Sequence, residues 1–595
     1  MSRRGNIACL YNSAFFYERE VFMNIVLTAI NSKYIHSNLA VRSLRAYAGE
    51  YCEEVRIAEY TINQRVEEIL MDLYKLQPDI LCFSCYIWNI EYVEKLIRQI
   101  GRICPGLPVW VGGPEVSYDA EDVLRRLPQV TGVMRGEGEQ TFRDLLDYYH
   151  GEIDELANIA GIAYRDEDGE IHANPWRDVM NMDELPFVYQ DMEEFAHKIV
   201  YYESSRGCPF SCSYCLSSVD KSLRFRSLHK VQKELQFFID AKVCQVKFVD
   251  RTFNCNHKHA MAIWQYLLEH DNGITNFHFE ISADLISEEE LELMSQMRPG
   301  LIQLEIGVQS TYPLTIEEIH RTMRFEKVAE NVKRIQSFGN IHQHLDLIAG
   351  LPYEDLHNFK SSFDDVYALR PEQLQLGFLK VLKGSYMEEH GKEYGLTYTD
   401  TPPYEVLCTK WLDFKDIICL KRVENMVEVY YNSGQFSYTM EQLVQQYDSA
   451  FDFYRQLGEY YEQHELHLSS HSRISRYEIL LDYVRRYHKE QEEFYRQLLT
   501  LDFYLRENGK SRPDFAGEDR VDKEFAKNFY SEEAECPKYL KGYESFDKRQ
   551  LRKMTHLERF DFDVMGTCEA KEVTILFDYR NRERLTFRAN TFQVQ

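Results

Sequence analysis

The chain has 595 residues, of which 44% are hydrophobic and 28% are charged, so it can form several hydrophobic cores. Its formal net charge of −27 argues against nucleic acid or an anionic membrane surface as the main partner, because both are negatively charged. No run of about eighteen or more apolar residues indicates a membrane-spanning helix. The 14 cysteines mostly stand singly inside apolar runs, which is typical of free thiols in the reducing cytoplasm. We therefore expect a cytoplasmic, multidomain protein.

The first residues are predicted to precede the folded part of the chain. Residues 1–22 are interpreted as an N-terminal extension, with Met23 as a candidate functional start. Charged residues at 18–20 interrupt the apolar stretch, and no small-residue cleavage site follows. This pattern does not favour a signal peptide.

Residues 23–150 alternate between short apolar runs and amphipathic helical patterns. The apolar runs lie at 24–30, 55–62, 79–88 and 108–113, and a fifth begins near 132. Continuous apolar strands separated by helices are typical of a parallel sheet that is covered on both faces. We predict an α/β fold here, namely a doubly wound, Rossmann-like N-terminal domain.

The remaining chain is predicted to contain a linker and two further domains. Residues 161–175 alternate around a DEDG turn and predict a β-hairpin, so 151–198 is interpreted as a β-hairpin linker. Between 199 and 388, six strand–helix units follow one another, which predicts a (βα)6 partial TIM barrel rather than the closed eight-unit form. Residues 389–595 carry aromatic residues at helical spacing, with strand patterns near 573–579 and in LTFRAN. This region is predicted to be a mostly helical C-terminal domain with a small β end.

The stretch SSRGCPFSCSYCLSS at 204–218 contains Cys208, Cys212 and Cys215, and no fourth cysteine follows nearby. Thiolates at this CxxxCxxC spacing on one loop can bind one inorganic centre. A structural zinc ion requires four protein ligands. A [4Fe–4S] cluster held by three cysteines instead leaves its fourth iron open to a cofactor or substrate. The missing fourth cysteine therefore favours the cluster.

Two other interpretations of the cysteines remain open. Zinc could take a distant ligand from CNHKH, which contains Cys255, His257 and His259. A non-catalytic iron–sulfur electron carrier is also conceivable, although such carriers usually ligate every iron with the protein. HELHLSSHS at 464–472 is a weaker metal-binding pattern.

A CxxxCxxC motif after the first strand of a partial barrel resembles the radical S-adenosylmethionine (SAM) superfamily. The resemblance covers about 199–385 and extends to Tyr214, which precedes the third cysteine, and to the segments FVDRTFN (248–254), EIGVQS (305–310) and LIAGLP (347–352). It implies that the three cysteines ligate a [4Fe–4S] cluster and that SAM is cleaved reductively to a 5′-deoxyadenosyl radical. It also implies SAM contacts by Tyr214, by Asp250 at the methionine amino group, by Glu305, Gln309 and Ser310 near the ribose and carboxylate, and by Gly350 and Leu351 at the adenine.

Further polar residues lie on or just after the predicted barrel strands. Glu280, Asp284 and Asp346 are candidates for contact with substrate or cofactor, or are polar residues of the barrel core. We assign no catalytic residue from the sequence.

The N-terminal domain resembles the cobalamin-binding domain of one class of radical SAM enzymes. The resemblance rests on SCYIW (84–88), VWVGGPE (109–115) and GVMRGEGEQTF (132–142), and it implies that Ser84, Gly112 and Gly113 contact cobalamin. The cobalt-ligating D-x-H-x-x-G pattern is absent, since Tyr34 stands before His36 and Leu39 replaces the glycine. His36 is therefore a candidate cobalt ligand, a phosphate or substrate contact, or a loop histidine.

Taken whole, the chain resembles cobalamin-binding-domain radical SAM proteins with an uncharacterised C-terminal domain. The resemblance implies a radical SAM enzyme, with methyl transfer to an unactivated carbon of a small molecule as the first expectation. Anaerobic oxidative cyclisation or ring rearrangement uses the same domains and is the alternative. The expected partners are a small-molecule substrate and an electron donor such as flavodoxin or ferredoxin, without nucleic acid.

Overall fold

The computed structural model describes residues 22–509 and 511–594. Apart from Phe22, the predicted N-terminal extension lies outside the described residues. The chain divides into two compact units. The first comprises the chain up to Lys33 together with Ala40–Asp178, and the second comprises Tyr34–Leu39 together with Val179 to the end.

The first unit is built on one seven-stranded sheet with the order β2-β1-β3-β4-β5-β6-β7. Strands β1 to β5 are parallel, as the apolar runs predict. The strands are β1 (Ile25–Asn31), β2 (Val55–Thr61), β3 (Ile80–Ser84), β4 (Val109–Gly112), β5 (Gly132–Met134), β6 (Ile162–Arg165) and β7 (Ile171–Ala173).

Helices and two separate hydrophobic clusters accompany this sheet. All seven residues of β1 are buried, which explains why its sequence is apolar without alternation. The helices are α1 (Leu39–Tyr47), α2 (Val66–Leu76), α3 (Ile90–Ile103), α4 (Pro114–Ser117), α5 (Ala120–Arg126) and α6 (Glu139–Tyr149). The predicted doubly wound α/β domain is confirmed.

The predicted hairpin linker belongs to the first unit. Its strands β6 and β7 pair antiparallel, and β6 pairs antiparallel with β5, so the hairpin extends the sheet. The compact unit ends at Asp178, later than the predicted end of the domain at residue 150. The hairpin supplies backbone partners to the otherwise open edge of β5, which explains why it packs there.

The second unit begins with a six-stranded parallel sheet in the order β15-β14-β13-β12-β11-β8. Its strands are β8 (Val200–Tyr202), β11 (Gln245–Phe248), β12 (Asn276–Ile281), β13 (Ile302–Gln309), β14 (His342–Ala349) and β15 (Gln373–Phe378). The strands β9 (Ser205–Arg206) and β10 (Arg224–Phe225) form a separate antiparallel pair. The helices of this region are α7 (Leu228–Asp240), α8 (His257–Glu269), α9 (Glu288–Ser295), α10 (Pro313–Glu318), α11 (Phe325–Phe338) and α12 (Leu356–Tyr367). The six predicted strand–helix units are confirmed.

The C-terminal region is mostly helical and ends in a three-stranded antiparallel sheet, as predicted. Its helices are α13 (Tyr386–His390), α14 (Phe414–Val427), α15 (Ser437–Val444), α16 (Ala450–Gln463), α17 (Arg473–Tyr487), α18 (Glu492–Arg506), α19 (Lys523–Glu535) and α20 (Lys548–Met554). Its strands are β16 (Thr397–Tyr398), β17 (Val406–Cys408), β18 (Thr555–Phe562), β19 (Ala570–Arg582) and β20 (Ala589–Val594). The sequence patterns predict a strand within β19 and another near the end of the chain, but they do not predict β18.

Helices α14 to α18 of the C-terminal region share one hydrophobic core with the barrel, whereas α19 and α20 pack in a separate cluster. Asn432 binds the edge strand β15 through both groups of its side-chain amide, since Oδ1 accepts from Leu374 N at 2.9 Å and Nδ2 donates to Leu374 O at 2.9 Å. Asp364 of α12 accepts from Phe451 N at 2.9 Å. The barrel and the C-terminal region therefore form one compact unit rather than two separate ones.

Within the described ranges, no helix combines the length and the apolar composition needed to cross a membrane.

Candidate active site at the cysteine loop

The three cysteines lie on a loop that the β9–β10 pair closes at its base. Gly207 begins the loop with φ +87, and a Cβ at this position would lie 2.6 Å from Ser222 O. Only glycine fits such a backbone without strain. Cys208 N then donates to Asp220 O at 3.1 Å, and Lys221 Nζ donates to Phe210 O at 2.8 Å. These bonds join the first half of the loop, at Cys208 and Phe210, to its second half, at Asp220 and Lys221.

Two other elements hold the middle of the loop. Ser213 N donates to Ile319 O at 2.9 Å, just after α10, and Met387 N in α13 donates to Ser213 O at 3.2 Å. Ser213 is buried, so these bonds satisfy backbone groups that water does not reach. The residue between Cys212 and Tyr214 is thus fixed by the barrel and by the first helix of the C-terminal region.

Asp250 holds the start of the loop. Its carboxylate accepts hydrogen bonds from Ser204 N (2.9 Å), Ser204 Oγ (2.6 Å) and Ser205 Oγ (2.6 Å). Burial raises the pKa of Asp250 to about 6, although these bonds oppose the shift. The family resemblance implies that this carboxylate faces the amino group of SAM. In the structure it has three hydrogen bonds within the protein and is not among the residues that line the cavity described next.

One cavity contains all three cysteine side chains. It lies at the carboxyl ends of the barrel strands, where ligands usually bind in such sheets. The polar and cysteine residues that line it are Cys208, Cys212, Tyr214, Cys215, Ser217, Ser218, Arg251, Thr252, Glu280, Ser282, Glu305, Gln309, Arg321, Thr322 and Asp346. The predicted contacts Tyr214, Glu305 and Gln309 and the candidates Glu280 and Asp346 are among them, whereas Asp284 is not.

Two cations compensate two carboxylates of the cavity. Lys247 Nζ donates to Glu305 Oε2 at 2.9 Å, and Arg251 Nη1 donates to Glu280 Oε2 at 2.6 Å. Burial alone would raise the pKa of Glu305, but His278 and Lys247 outweigh it and hold that pKa well below its usual range. Glu305 therefore stays ionised and can accept hydrogen bonds from a bound ligand.

A third carboxylate, Asp346, lies beside a histidine. His344 Nε2 lies 3.1 Å from Asp346 Oδ1. Burial raises the pKa of Asp346, and Asp346 in turn raises the pKa of His344 against the opposing effect of burial. The carboxylate of Asp346, which lines the cavity, therefore has the imidazole of His344 as its close neighbour.

The backbone at the cavity is irregular in two places. The register between β13 and β14 shifts between Gly307 and Gln309, and Gln309 has φ +73. Thr252, after β11, has φ +58. Residues other than glycine rarely adopt this left-handed region, and such residues concentrate at functional sites. Both Gln309 and Thr252 line the cavity.

Three further predicted SAM contacts lie away from this cavity. Ser310 is fully buried and donates to Glu354 Oε1 at 2.5 Å. Gly350 has φ +91, and a Cβ there would lie 2.7 Å from Val406 Cγ1 of the C-terminal region. Leu351 is fully buried in the hydrophobic core. Of the three, Ser310 directly follows a cavity residue in sequence, but its side chain donates to a buried carboxylate instead.

Arg321 is a cavity residue that the sequence did not single out. It follows α10 in the segment HRTMRF, which carries no motif. Its guanidinium Nη1 donates to Tyr214 Oη at 3.0 Å and lies 3.8 Å from Cys212 Sγ, and Nη2 donates to Gly307 O. Cys212 and Tyr214 are 109 and 107 positions away from Arg321 in sequence, so only the folded chain reveals these contacts.

The residues of the zinc alternative have other partners. His257 lies 3.2 Å from Glu289 and 3.1 Å from Glu290, and His259 Nε2 lies 3.0 Å from Ser204 Oγ. Burial lowers the pKa of His259 to about 4, so it is neutral. Burial and the nearby Cys208 raise the pKa of Cys255 to about 11. The two histidines thus have structural contacts, which favours the cluster interpretation.

The predicted cobalamin contacts meet at the carboxyl ends of two strands in the first unit. Ser84 and Gly112 are register partners of β3 and β4. Gly113 follows with φ +118, and a Cβ there would lie 2.4 Å from Cys85 O. The structure therefore brings these three positions together, and the chain needs glycine at Gly113.

His36 lies in the short segment that belongs to the second unit. Its Nδ1 lies 2.6 Å from Tyr201 Oη, and the neighbouring Ser37 Oγ donates to Ile199 O at 3.0 Å. These contacts support the interpretation of His36 as a structural loop histidine.

Three sequence families match successive parts of the chain. The B12 binding domain matches residues 25–146, the radical SAM superfamily matches 202–366, and a protein family of unknown function, DUF4080, matches 392–577. The chain is a radical SAM protein with a B12-binding domain. The second match contains the cysteine loop and most cavity residues of this radical SAM protein, and the first contains Ser84, Gly112 and Gly113.

Known proteins resemble parts of this radical SAM protein. An uncharacterized methyltransferase of Pyrococcus horikoshii is 28% identical over 48% of this chain and 63% of its own length. The 2-(S-pantetheinyl)-carbapenam-3-carboxylate methyltransferase of Streptantibioticus cattleyicolor is 26% identical over 48% of this chain and 44% of its own length. The match thus spans less than two thirds of either relative. The solved structure of OxsB, a cobalamin-dependent SAM radical enzyme with aqua-cobalamin and SAM bound, has a TM-score of 0.57 and 18% identity, and covers 82% of this chain and 79% of OxsB.

The cofactors of these domains are a [4Fe–4S] cluster, SAM and cobalamin. The cavity residues fit the first two. Three thiols on one loop face the same cavity, and the Arg321 guanidinium beside Cys212 provides positive charge next to thiolates. The ionised Glu305 and the polar wall provide acceptors for the hydroxyl and amino groups of SAM. Cys208, Cys212 and Cys215 would hold the cluster.

Proposed function

We propose that this protein is a cobalamin-dependent radical SAM enzyme that transfers a methyl group to an unactivated carbon of a small molecule. The observation that carries the proposal is the shared cavity of Cys208, Cys212 and Cys215 at the strand ends of a partial barrel. A B12 binding domain in the same chain supports methyl transfer, because cobalamin carries methyl groups. Both relatives named above are described as methyltransferases.

When bound, the cluster and SAM supply one-electron reductive cleavage, and cobalamin supplies a methyl carrier. The protein's own residues hold, orient and shield these groups. The backbone bonds at Ser213 and the carboxylate of Asp250 fix the cysteine loop. Lys247 keeps Glu305 ionised for ligand binding, and Arg251 is held in place by Glu280.

We further propose that the protein works in the cytoplasm and receives electrons from a donor such as flavodoxin or ferredoxin. Every cysteine that the structure describes is a free thiol, as expected in a reducing compartment. A single cluster of three cysteine ligands needs an external one-electron source for each SAM cleavage.

Anaerobic reconstitution tests the proposal. The protein is supplied with iron, sulfide and cobalamin, and metal content, electron paramagnetic resonance (EPR) spectra and SAM cleavage under dithionite are measured. We expect four irons per chain, a cluster signal that SAM perturbs, and formation of 5′-deoxyadenosine. One zinc and no iron would refute the proposal.

Variants and products sharpen this test. Cys212→Ala is expected to abolish SAM cleavage while the N-terminal domain stays folded and still takes up cobalamin. Cys255→Ala, which changes a nearby cysteine outside the motif, is expected to keep the cluster. With the substrate present, S-adenosylhomocysteine together with 5′-deoxyadenosine indicates methyl transfer. The appearance of 5′-deoxyadenosine alone indicates cyclisation or another radical reaction instead.

A further inference from the structure

Arg321 is placed where its charge acts on the cysteine loop. It lines the cavity, and its Nη1 lies 3.8 Å from Cys212 Sγ, within hydrogen-bonding distance for sulfur. The same nitrogen donates to Tyr214 Oη at 3.0 Å, and Nη2 donates to Gly307 O. Three contacts on two nitrogens fix the plane of the guanidinium, because the group is rigid.

The bulge in β13 contributes to this arrangement. The register with β14 shifts between Gly307 and Gln309, where the chain turns into the left-handed region. A Cβ on Gly307 would lie 2.3 Å from Gln309 Nε2 and 3.6 Å from Arg321 Nη2. The missing side chain at Gly307 therefore leaves room for the amide of Gln309, while the carbonyl oxygen of Gly307 accepts from the guanidinium of Arg321.

Unlike Arg251 and Lys247, Arg321 has no carboxylate partner among the residues that the structure describes. Arg251 pairs with Glu280 at 2.6 Å, and Lys247 pairs with Glu305 at 2.9 Å. Among residues 22–509 and 511–594, no carboxylate oxygen lies within 4.0 Å of Arg321. A largely buried cation requires a compensating negative charge.

We infer that Arg321 is a positioning residue for the iron–sulfur cluster, which hydrogen-bonds the Cys212 sulfur and raises the reduction potential of the cluster. Reduction adds one electron from an external donor to the oxidised cluster, and no covalent bond forms or breaks. The reduced cluster carries one more negative charge, so a fixed cation beside a ligating sulfur stabilises it relative to the oxidised cluster. The inference rests on the cluster of the proposed function and not on methyl transfer.

An EPR-monitored redox titration of the anaerobically reconstituted full chain tests the inference. In Arg321→Gln, we expect the ratio of reduced to oxidised cluster at a fixed potential to fall about tenfold, which corresponds to a midpoint ~59 mV more negative for a one-electron couple. Arg321→Lys keeps the charge and is expected to stay within about threefold of the wild type. Arg334→Gln removes an exposed arginine that pairs with Glu288 on the same barrel, and is expected to leave the ratio unchanged.

The outcomes separate the inference from the proposed function. A wild-type protein without a [4Fe–4S] signal overturns both. If the wild-type protein has a cluster but Arg321→Gln has the same reduction potential as the wild type, only the inference is overturned. The same holds if Arg334→Gln changes the potential as much as Arg321→Gln does. If Arg321→Gln fails to retain iron, the variants Arg321→Met and Arg321→Lys test whether a positive charge is needed at this position. If only the lysine variant retains the cluster, the need for a positive charge is supported. If both variants lose the cluster, or if the methionine variant retains it with the wild-type potential, the inference is refuted.

Discussion

Glu354 provides a pH-dependent test of the packing behind the cavity. Its side chain is fully buried, and Oε1 accepts hydrogen bonds from Ser310 Oγ (2.5 Å) and Ser362 Oγ (2.8 Å). The other carboxylate oxygen, Oε2, has no hydrogen-bond partner among the described residues. Burial raises the pKa of Glu354 from 4.5 to about 7, because the charged form is poorly compensated.

This pKa difference fixes the sign and size of the effect. Below pH 4.5, Glu354 is protonated in both the folded and the unfolded chain, and its stabilising contribution is fully present. As the pH rises from 4.5 to about 7, only the unfolded chain releases the proton, so the free energy of unfolding falls. The total loss is about 3 kcal/mol, of which about 2 kcal/mol falls between pH 5 and pH 8.

The variant Glu354→Gln isolates this contribution. Glutamine can accept the same two serine hydrogen bonds but does not ionise, so the free energy of unfolding of the variant relative to the wild type should rise by about 2 kcal/mol from pH 5 to pH 8. Urea unfolding followed by tryptophan fluorescence at a series of pH values measures this difference. Glu292→Gln, on the exposed face of α9, is the control and should show no such trend. A difference between Glu354→Gln and the wild type that stays constant across this range would refute the reasoning.

Two further predictions concern backbone geometry and domain packing. Gly113→Ala forces a Cβ to within 2.4 Å of Cys85 O at φ +118, and should destabilise the N-terminal domain by more than about 2 kcal/mol and reduce cobalamin uptake in a binding assay. Gly112→Ala places its Cβ 3.4 Å from Met134 and should cost less than about 1 kcal/mol, so equal effects of the two changes would contradict the structure. Asn432→Ala removes both hydrogen bonds to Leu374 and should destabilise the second unit by about 2 kcal/mol in urea unfolding, whereas unchanged stability would show that the contact with β15 contributes nothing.

The sequence by itself determined the parts of this protein that depend on local pattern. Apolar runs such as 24–30 and 79–88 predict strands because a buried strand must be hydrophobic over consecutive residues. The spacing of Cys208, Cys212 and Cys215 predicts a common centre because one loop brings the three thiols together. The hairpin at 161–175 was likewise predicted, but not its pairing with β5, since any exposed strand edge could accept it.

Only the tertiary structure decided which side chains face the cavity. Ser310 follows the cavity residue Gln309 directly, yet its side chain donates to Glu354, a carboxylate 44 positions further along the chain. Arg321 reaches Cys212 across more than a hundred positions of sequence, and α13 reaches Ser213 from the start of the C-terminal region. Such contacts follow from how the strands twist and how the elements pack, and the order of the residues along the chain carries no local trace of them.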